Sequence, residues 1–170
     1  VVPDALREYL YRFAEQSEHT EYAALRMPRK NYFFGKFMHG DYPDYIVRLI
    51  RKSKCDWPVT IHARPIVNGH TASIPSRRHD LAIVHLANES VEARLAKINV
   101  YSDKELLRRS GQHFSVGKAF MKCSWRFLRF YLIKGGFRDG RAGFTYAALN
   151  ACYKFTTIAK IWERQSLSEK

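Results

Sequence analysis

Residues 125–155, WRFLRFYLIKGGFRDGRAGFTYAALNACYKF, constrain the fold more than any other stretch. Rings and cations alternate as far as Lys134, the chain breaks at Gly135-Gly136, one acid passes, and a run rich in small residues follows. This pattern predicts two helices, about 115–134 and 140–163, joined by a turn that glycine permits and with Asp139 as the cap of the second. On the first, Lys118, Lys122, Arg126 and Arg129 step by four, four and three, which puts them on one cationic stripe. Phe120, Phe127, Phe130 and Tyr131 share the opposite side, and Met121, Trp125, Leu128 and Leu132 flank the stripe. Two readings fit. Either the helix lies in a lipid interface, with the four cations toward headgroups and Trp125, Phe127 and Phe130 toward acyl chains, or it is an amphipathic helix packed on its own domain. On the second helix Phe144, Ala148, Ala151, Phe155, Ile158 and Trp162 form a stripe expected in the core or in helix-pair packing.

The 170 residues are enough to bury a real core, and 29 Lys and Arg against 16 Asp and Glu give a formal charge of +13. A chain with this excess seeks phosphates on nucleic acid, on an anionic membrane or on a nucleotide-linked substrate. Cys55, Cys123 and Cys152 are odd in number and widely spaced, so they make no zinc or redox motif, and a reducing compartment is expected. Arg126, Arg129 and Lys134 interrupt the best apolar run, leaving nothing near the roughly 18 residues of a membrane span. The first residues, VVPDALREYL, lack the pattern of a signal peptide. They read as a helix with Leu6, Tyr9, Leu10 and Phe13 on one face. Residues 22–86 read as short strands in YAALRMPRKNYFF, DYIVRLI, PVTIHARPIV and DLAIVHL, punctuated by glycine and proline. From Asn88, a candidate cap, the pattern turns helical, with Val91, Leu95 and Ile98 at helical spacing. The expected division is 1–87, a small mixed sheet, and 88–170, a helical tail; the class is α+β.

Asp41 and Asp44, in HGDYPDYIVRL, are carboxylates able to deprotonate a hydroxyl, although an Asp after Pro is also a common turn residue. His62 and Arg64, in TIHARP, suit a metal or a diphosphate, and His85 suits a phosphate; each His is equally a hydrogen-bonded structural residue. His70 and His79 have no acidic or Cys companions that would make a zinc site. Arg26, Arg29, Lys30, Arg48, Arg51 and Lys52 form a second basic concentration. With Tyr32, Phe33 and Phe34 it resembles a stacking platform for single-stranded nucleic acid, but no module signature accompanies it and nucleic acid is not the expected partner.

Three stretches in order, MPRKNYFFGKFMHGDYPDYIVRLIRK, HLANESVEARLAKINVYSDKE and WRFLRFYLIKGGFRDGRAGFTYAALNACYKFTTIAKIWE, resemble the later part of bacterial family 2 glycosyltransferases of the lipopolysaccharide-core glucosyltransferase type. The resemblance implies the C-terminal part of a GT-A-like fold, with 1–87 as its acceptor side and 88–170 as a membrane-docking tail. It implies transfer of a sugar from a nucleotide-sugar to a lipid-linked saccharide, by a protein lying peripherally on the cytoplasmic, inner face of an anionic membrane. Through the match to the family's Tyr-Pro-Asp-Tyr it makes Asp44 the base, with Asp41 the alternative. His62, Arg64, His85 and Arg48 become candidates for substrate or phosphate, and His62 for a metal, although Ala63 stands where the family has Glu. The family's donor half, with its Asp-x-Asp motif for Mg or Mn, has no counterpart here, and metal and donor are not expected to bind this chain alone. A fragment, a split enzyme with a partner protein, and a non-catalytic structural subunit descended from such an enzyme are the three expectations that follow.

Overall fold

The structure, a computed structural model, describes residues 1–17, 21–58, 64–86, 90–109 and 111–168. The class is α+β, with small sheets and a helical C-terminal region. Two compact units divide the chain: Val1–Asn31 with Asp41–Leu86, and Tyr32–Gly40 with Ala87–Lys170. Residues 32–40, which the sequence grouped with the sheets, thus join the helices, because Phe33 and Met38 are buried in the helical unit's core.

In the first unit α1 (Asp4–Ser17) starts behind Pro3, whose carbonyl accepts from the Arg7 amide at 2.9 Å. Leu6 is buried, and Tyr9, Leu10 and Phe13 pack beside it on a core of Leu25, Met27, Ile74 and Leu81, as the helical spacing predicts. β1 (Tyr22–Met27) lies between β4 (Ile46–Ile50), antiparallel, and β7 (His70–Ser73), parallel. Pro28 has no amide hydrogen to continue the ladder, so YAALRMPRKNYFF forms two strands rather than one, with β2 at Arg29–Phe33. β8 (Ile83–His85) runs parallel to β2, with Asn31 opposite His85. β3 (Lys36–Phe37) pairs antiparallel with β2, and β6 (Ile66–Val67) pairs with β5 (Cys55–Asp56) in a two-stranded ladder.

In the second unit α2 (Val91–Arg109) begins with Ser90 as its cap, the Oγ accepting from the Ala93 amide at 3.0 Å, while Asn88 lies outside the described residues. α3 (Val116–Leu128) is capped by Ser115 and runs into a π-helical turn at Arg129–Ile133. Gly135 takes φ 73°, a left-handed conformation that glycine adopts without cost, and a 3-10 turn (Gly136–Asp139) leads into α4 (Gly140–Ser168). Gly143 sits so near the preceding turn that a Cβ there would lie 1.9 Å from the Gly136 carbonyl oxygen.

This packing corrects three expectations. Phe130 is 7% exposed and sits in the core with Phe33, Ala142 and Leu149, and Phe127 and Tyr131 pack against that core. The outward side of α3 is instead Phe120, Met121, Trp125 and Leu128, continued by Leu132. On α4 the buried positions are Ala142, Gly143, Ala147, Leu149, Thr157, Ile158 and Ile161, so Ile158 of the expected stripe is buried while its Phe144 and Phe155 are exposed. Asp139 does not serve simply as a cap: its buried carboxylate accepts from the His39 and Gly40 amides at 3.0 and 3.2 Å and meets His39 Nδ1 at 2.6 Å. Among the described residues no helix is long and apolar enough to cross a membrane.

Candidate functional site

The sheet of the first unit brings Asp44, Asp41, Asn31, Arg29 and His85 into one hydrogen-bonded cluster. Arg29 and Asn31 are two apart on β2, so their side chains leave the same face. Arg29 donates to Asp44 Oδ2 from Nε at 2.9 Å and from its NH2 group, and Asn31 Nδ2 donates to Asp44 Oδ2 at 2.9 Å and to Asp41 Oδ2 at 2.8 Å. The carboxylates accept only, which fixes the Asn31 amide: its nitrogen faces them and Oδ1 faces His85 Nδ1 at 2.9 Å. His85 therefore donates from Nδ1, and in the neutral ring Nε2 carries the lone pair.

The loop that carries Asp44 is anchored by the tyrosines on either side. Tyr42 donates to the Ser76 carbonyl at 2.5 Å and stacks on His79 at 4.8 Å, and Tyr45 donates to the Ile74 carbonyl at 2.9 Å. Burial pushes the Tyr42 hydroxyl above its ordinary value, with Tyr45 adding to the effect. The Tyr42–Pro43 peptide is cis. Among the described residues the bonds to Asp44 fall on Oδ2, so Oδ1 is the oxygen with lone pairs to offer an incoming hydroxyl.

Arg29, Arg48 and His85 line one cavity of about 440 Å³ whose other wall is apolar, with Leu6, Leu10, Met27 and Ile46. Arg48 also lies over the Trp57 ring at 5.9 Å. Of the residues singled out in the sequence, Asp41, Asp44 and His85 thus share a cluster, and Arg48 shares a cavity with His85. Arg64 is exposed and takes no part in the cluster, and His62 lies outside the described residues. Arg29 and Asn31 hold the cluster together, and sequence reasoning left both out of the site. The signal available for them was the alternation R-K-N directly after a proline, at the head of a strand. Of the three rings beside the second basic concentration, Phe33 is 2% exposed, inside the helical core, whereas Phe34 is half exposed.

Across the second unit, Lys118, Lys122, Arg126 and Arg129 are all exposed, and beside them runs an apolar strip that includes Met121, Trp125 and Leu132 at 64, 58 and 54% exposure. That strip is on the side of the helix away from Ala119 and Phe130, which are buried.

This chain is similar to a lipopolysaccharide core glycosyltransferase. It is 27% identical, over 98% of its length, to the lipopolysaccharide core biosynthesis glycosyltransferase LpsC of Rhizobium meliloti (strain 1021), of which it covers 62%. The similarity supports a glycosyltransferase-related family. No family model and no solved structure matches the chain.

Proposed function

We propose that this chain is the acceptor-side and membrane-docking part of a family 2, GT-A-like glycosyltransferase, which moves a sugar from a nucleotide-sugar to a lipid-linked saccharide at the cytoplasmic face of an anionic membrane. The observation that carries this reading is Asp44, half-buried, held through one oxygen by Arg29 and Asn31 in the cluster with His85 and Asp41. In the reaction Asp44 takes the proton from an acceptor hydroxyl. The oxygen forms its bond to the anomeric carbon as the bond to the diphosphate breaks, and the nucleoside diphosphate leaves with the electron pair. Arg29 fixes the carboxylate in one orientation. Arg48 and His85 face the neighbouring cavity, where they suit an anionic group of donor or acceptor.

The divalent metal of such enzymes finds no fit among these side chains. Among the described residues no three His, Cys, Asp or Glu come together, and Asp44 already faces the Arg29 guanidinium. Any Mg or Mn of the whole protein is therefore assigned to residues outside this cluster, and no step is drawn through it.

The membrane part of the reading rests on α3 and the turn after it. Outward Met121, Trp125, Leu128 and Leu132 beside Lys118, Lys122, Arg126 and Arg129 match an anionic lipid interface in both apolarity and charge. The test of the chemistry is Asp44→Asn in the whole enzyme. Turnover is expected to fall about 100-fold or more with donor KM nearly unchanged. Equal loss from Asp41→Asn, with Asp44→Asn silent, would reassign the base.

A further inference from the structure

The cavity of about 440 Å³ beside the Asp44 cluster lies within the first unit, lined from α1, β1, β4 and β8. Its volume falls in the range of about 300–1,000 Å³ usual for small-molecule sites. Leu6 and Met27 are buried at its floor, and Leu10, Leu49 and Ile83 stand half-buried on its walls. Its polar side chains are Arg29, Arg48 and His85. Arg29 is engaged by Asp44, and His85 is held by Asn31. Arg48 differs: it is exposed, lies over the Trp57 ring at 5.9 Å, and among the described residues has no carboxylate within ion-pair reach. The Val84 amide donates to the Val1 carbonyl at 3.0 Å, which holds Val2 beside β8, where its half-exposed side chain joins the lining.

Apolar walls and one cation without an acid suit an amphiphile. A nucleotide-sugar carries hydroxyls and phosphates along its length, and Leu6, Leu10, Met27, Leu49 and Ile83 offer those groups no hydrogen bonds. An aliphatic chain instead removes this apolar surface from water, while a phosphate at its head meets the Arg48 guanidinium. We propose that the cavity holds an aliphatic chain of an anionic lipid, with the lipid's phosphate on Arg48, and that this lipid is the acceptor. The inference deepens the transfer reading and rests on it for the acceptor's role: the anionic group at Arg48 belongs to the acceptor and not to the donor. Capture of a chain by the cavity is also a different act from contact of α3 with a lipid surface.

The whole enzyme is titrated by calorimetry with butyl, octyl and dodecyl phosphate, each below the concentration at which it forms micelles. Affinity should rise by about threefold or more per added methylene from the octyl to the dodecyl compound, with butyl phosphate bound weakly. Arg48→Gln should weaken dodecyl phosphate binding by about tenfold or more, and Arg12→Gln, an exposed cation outside the cavity, by less than about twofold. Val2→Trp puts a larger side chain at an exposed position of the lining, so the fold should persist, which circular dichroism checks, while binding falls by about tenfold or more. Trp125→Ser with Leu132→Ser should keep the affinity, which separates the cavity from the strip on α3. In the transfer assay dodecyl phosphate should raise the KM of the lipid-linked acceptor and leave donor KM in place. The proposal is overturned if dodecyl phosphate does not bind, if butyl phosphate binds as tightly, or if Arg48→Gln and Val2→Trp both stay within about twofold of the native enzyme. Competition with the donor in place of the acceptor would overturn it as well. The calorimetry needs no transfer, so a silent Asp44→Asn would remove the reading of Asp44 and leave the cavity to be decided by its own titrations.

Discussion

Asn31 serves three groups with one amide: two carboxylates on the nitrogen and a histidine on the oxygen. Asn31→Leu keeps the branched outline but removes one donor from each carboxylate in a part-buried place, leaving Asp44, among the described residues, only Arg29. Stability should drop by about 1–3 kcal/mol, measured by urea unfolding. In the whole enzyme the same change is expected to lower kcat while leaving donor KM in place, since the amide is taken up by Asp44, Asp41 and His85. A variant that loses stability but keeps kcat would make Asn31 structural only. That Asp44 and Asp41 belong together was legible from their spacing in HGDYPDYIVRL, and the structure places both on the Asn31 amide. The bonding of Asn31 to His85 was not legible. The two are 54 positions apart, and only the parallel pairing of β2 with β8 brings them opposite.

At the scale of elements, α1 could be read directly: Leu6, Tyr9, Leu10 and Phe13 make one apolar face, and that face is the buried one. α3 could not, because rings occur all round it and periodicity alone does not say which side meets the core. The small Ala119, buried in line with Phe127 and Phe130, marks the side where another helix comes close. The turn before α4 is more tightly specified than a glycine hinge implies. In Gly143→Ala the new methyl would meet backbone 1.9 Å away, and a loss of about 3 kcal/mol is expected, with Tm lower by about 6–12 °C. Gly117→Ala, near the start of α3 with nothing within 4 Å, should instead raise stability by up to about 1 kcal/mol. Equal effects from the two would mean the close approach at Gly143 is wrong. Asp139→Leu would leave the His39 and Gly40 amides without their acceptor and should destabilise by about 2 kcal/mol or more.

On α2 the charges also set a pH dependence. The Glu105 carboxyl is held below its ordinary range, chiefly by the Arg109 hydrogen bond. Because the folded value lies under the unfolded one, this support is present at neutral pH and is lost as pH falls through the ordinary carboxylate range and below it, near 4. Unfolding measured from pH 7 to 3 should show a shallower acid limb in Glu105→Gln than in the native protein. An unchanged limb would mean that other carboxylates govern acid unfolding.

For the molecule as a whole, the account joins two functions in one chain: proton removal at Asp44 in the first unit, and lipid contact by α3 in the second. The proposed lipid contact can be tested separately from folding because the outward side chains of α3 are not the core ones. Trp125→Ser with Leu132→Ser removes exposed apolar area and should spare the fold, whereas Phe130→Ser opens the core and should cost about 3–5 kcal/mol. The most direct measurement is sugar transfer by the whole enzyme to the same saccharide acceptor, presented once in anionic vesicles and once in detergent solution, for the native protein, Asp44→Asn and Trp125→Ser/Leu132→Ser. The account predicts that Asp44→Asn loses about 100-fold or more on both acceptors, while the double variant loses activity on vesicles and keeps it in detergent. Transfer by Asp44→Asn at near-native rates, or a double variant as active on vesicles as the native enzyme, would contradict it.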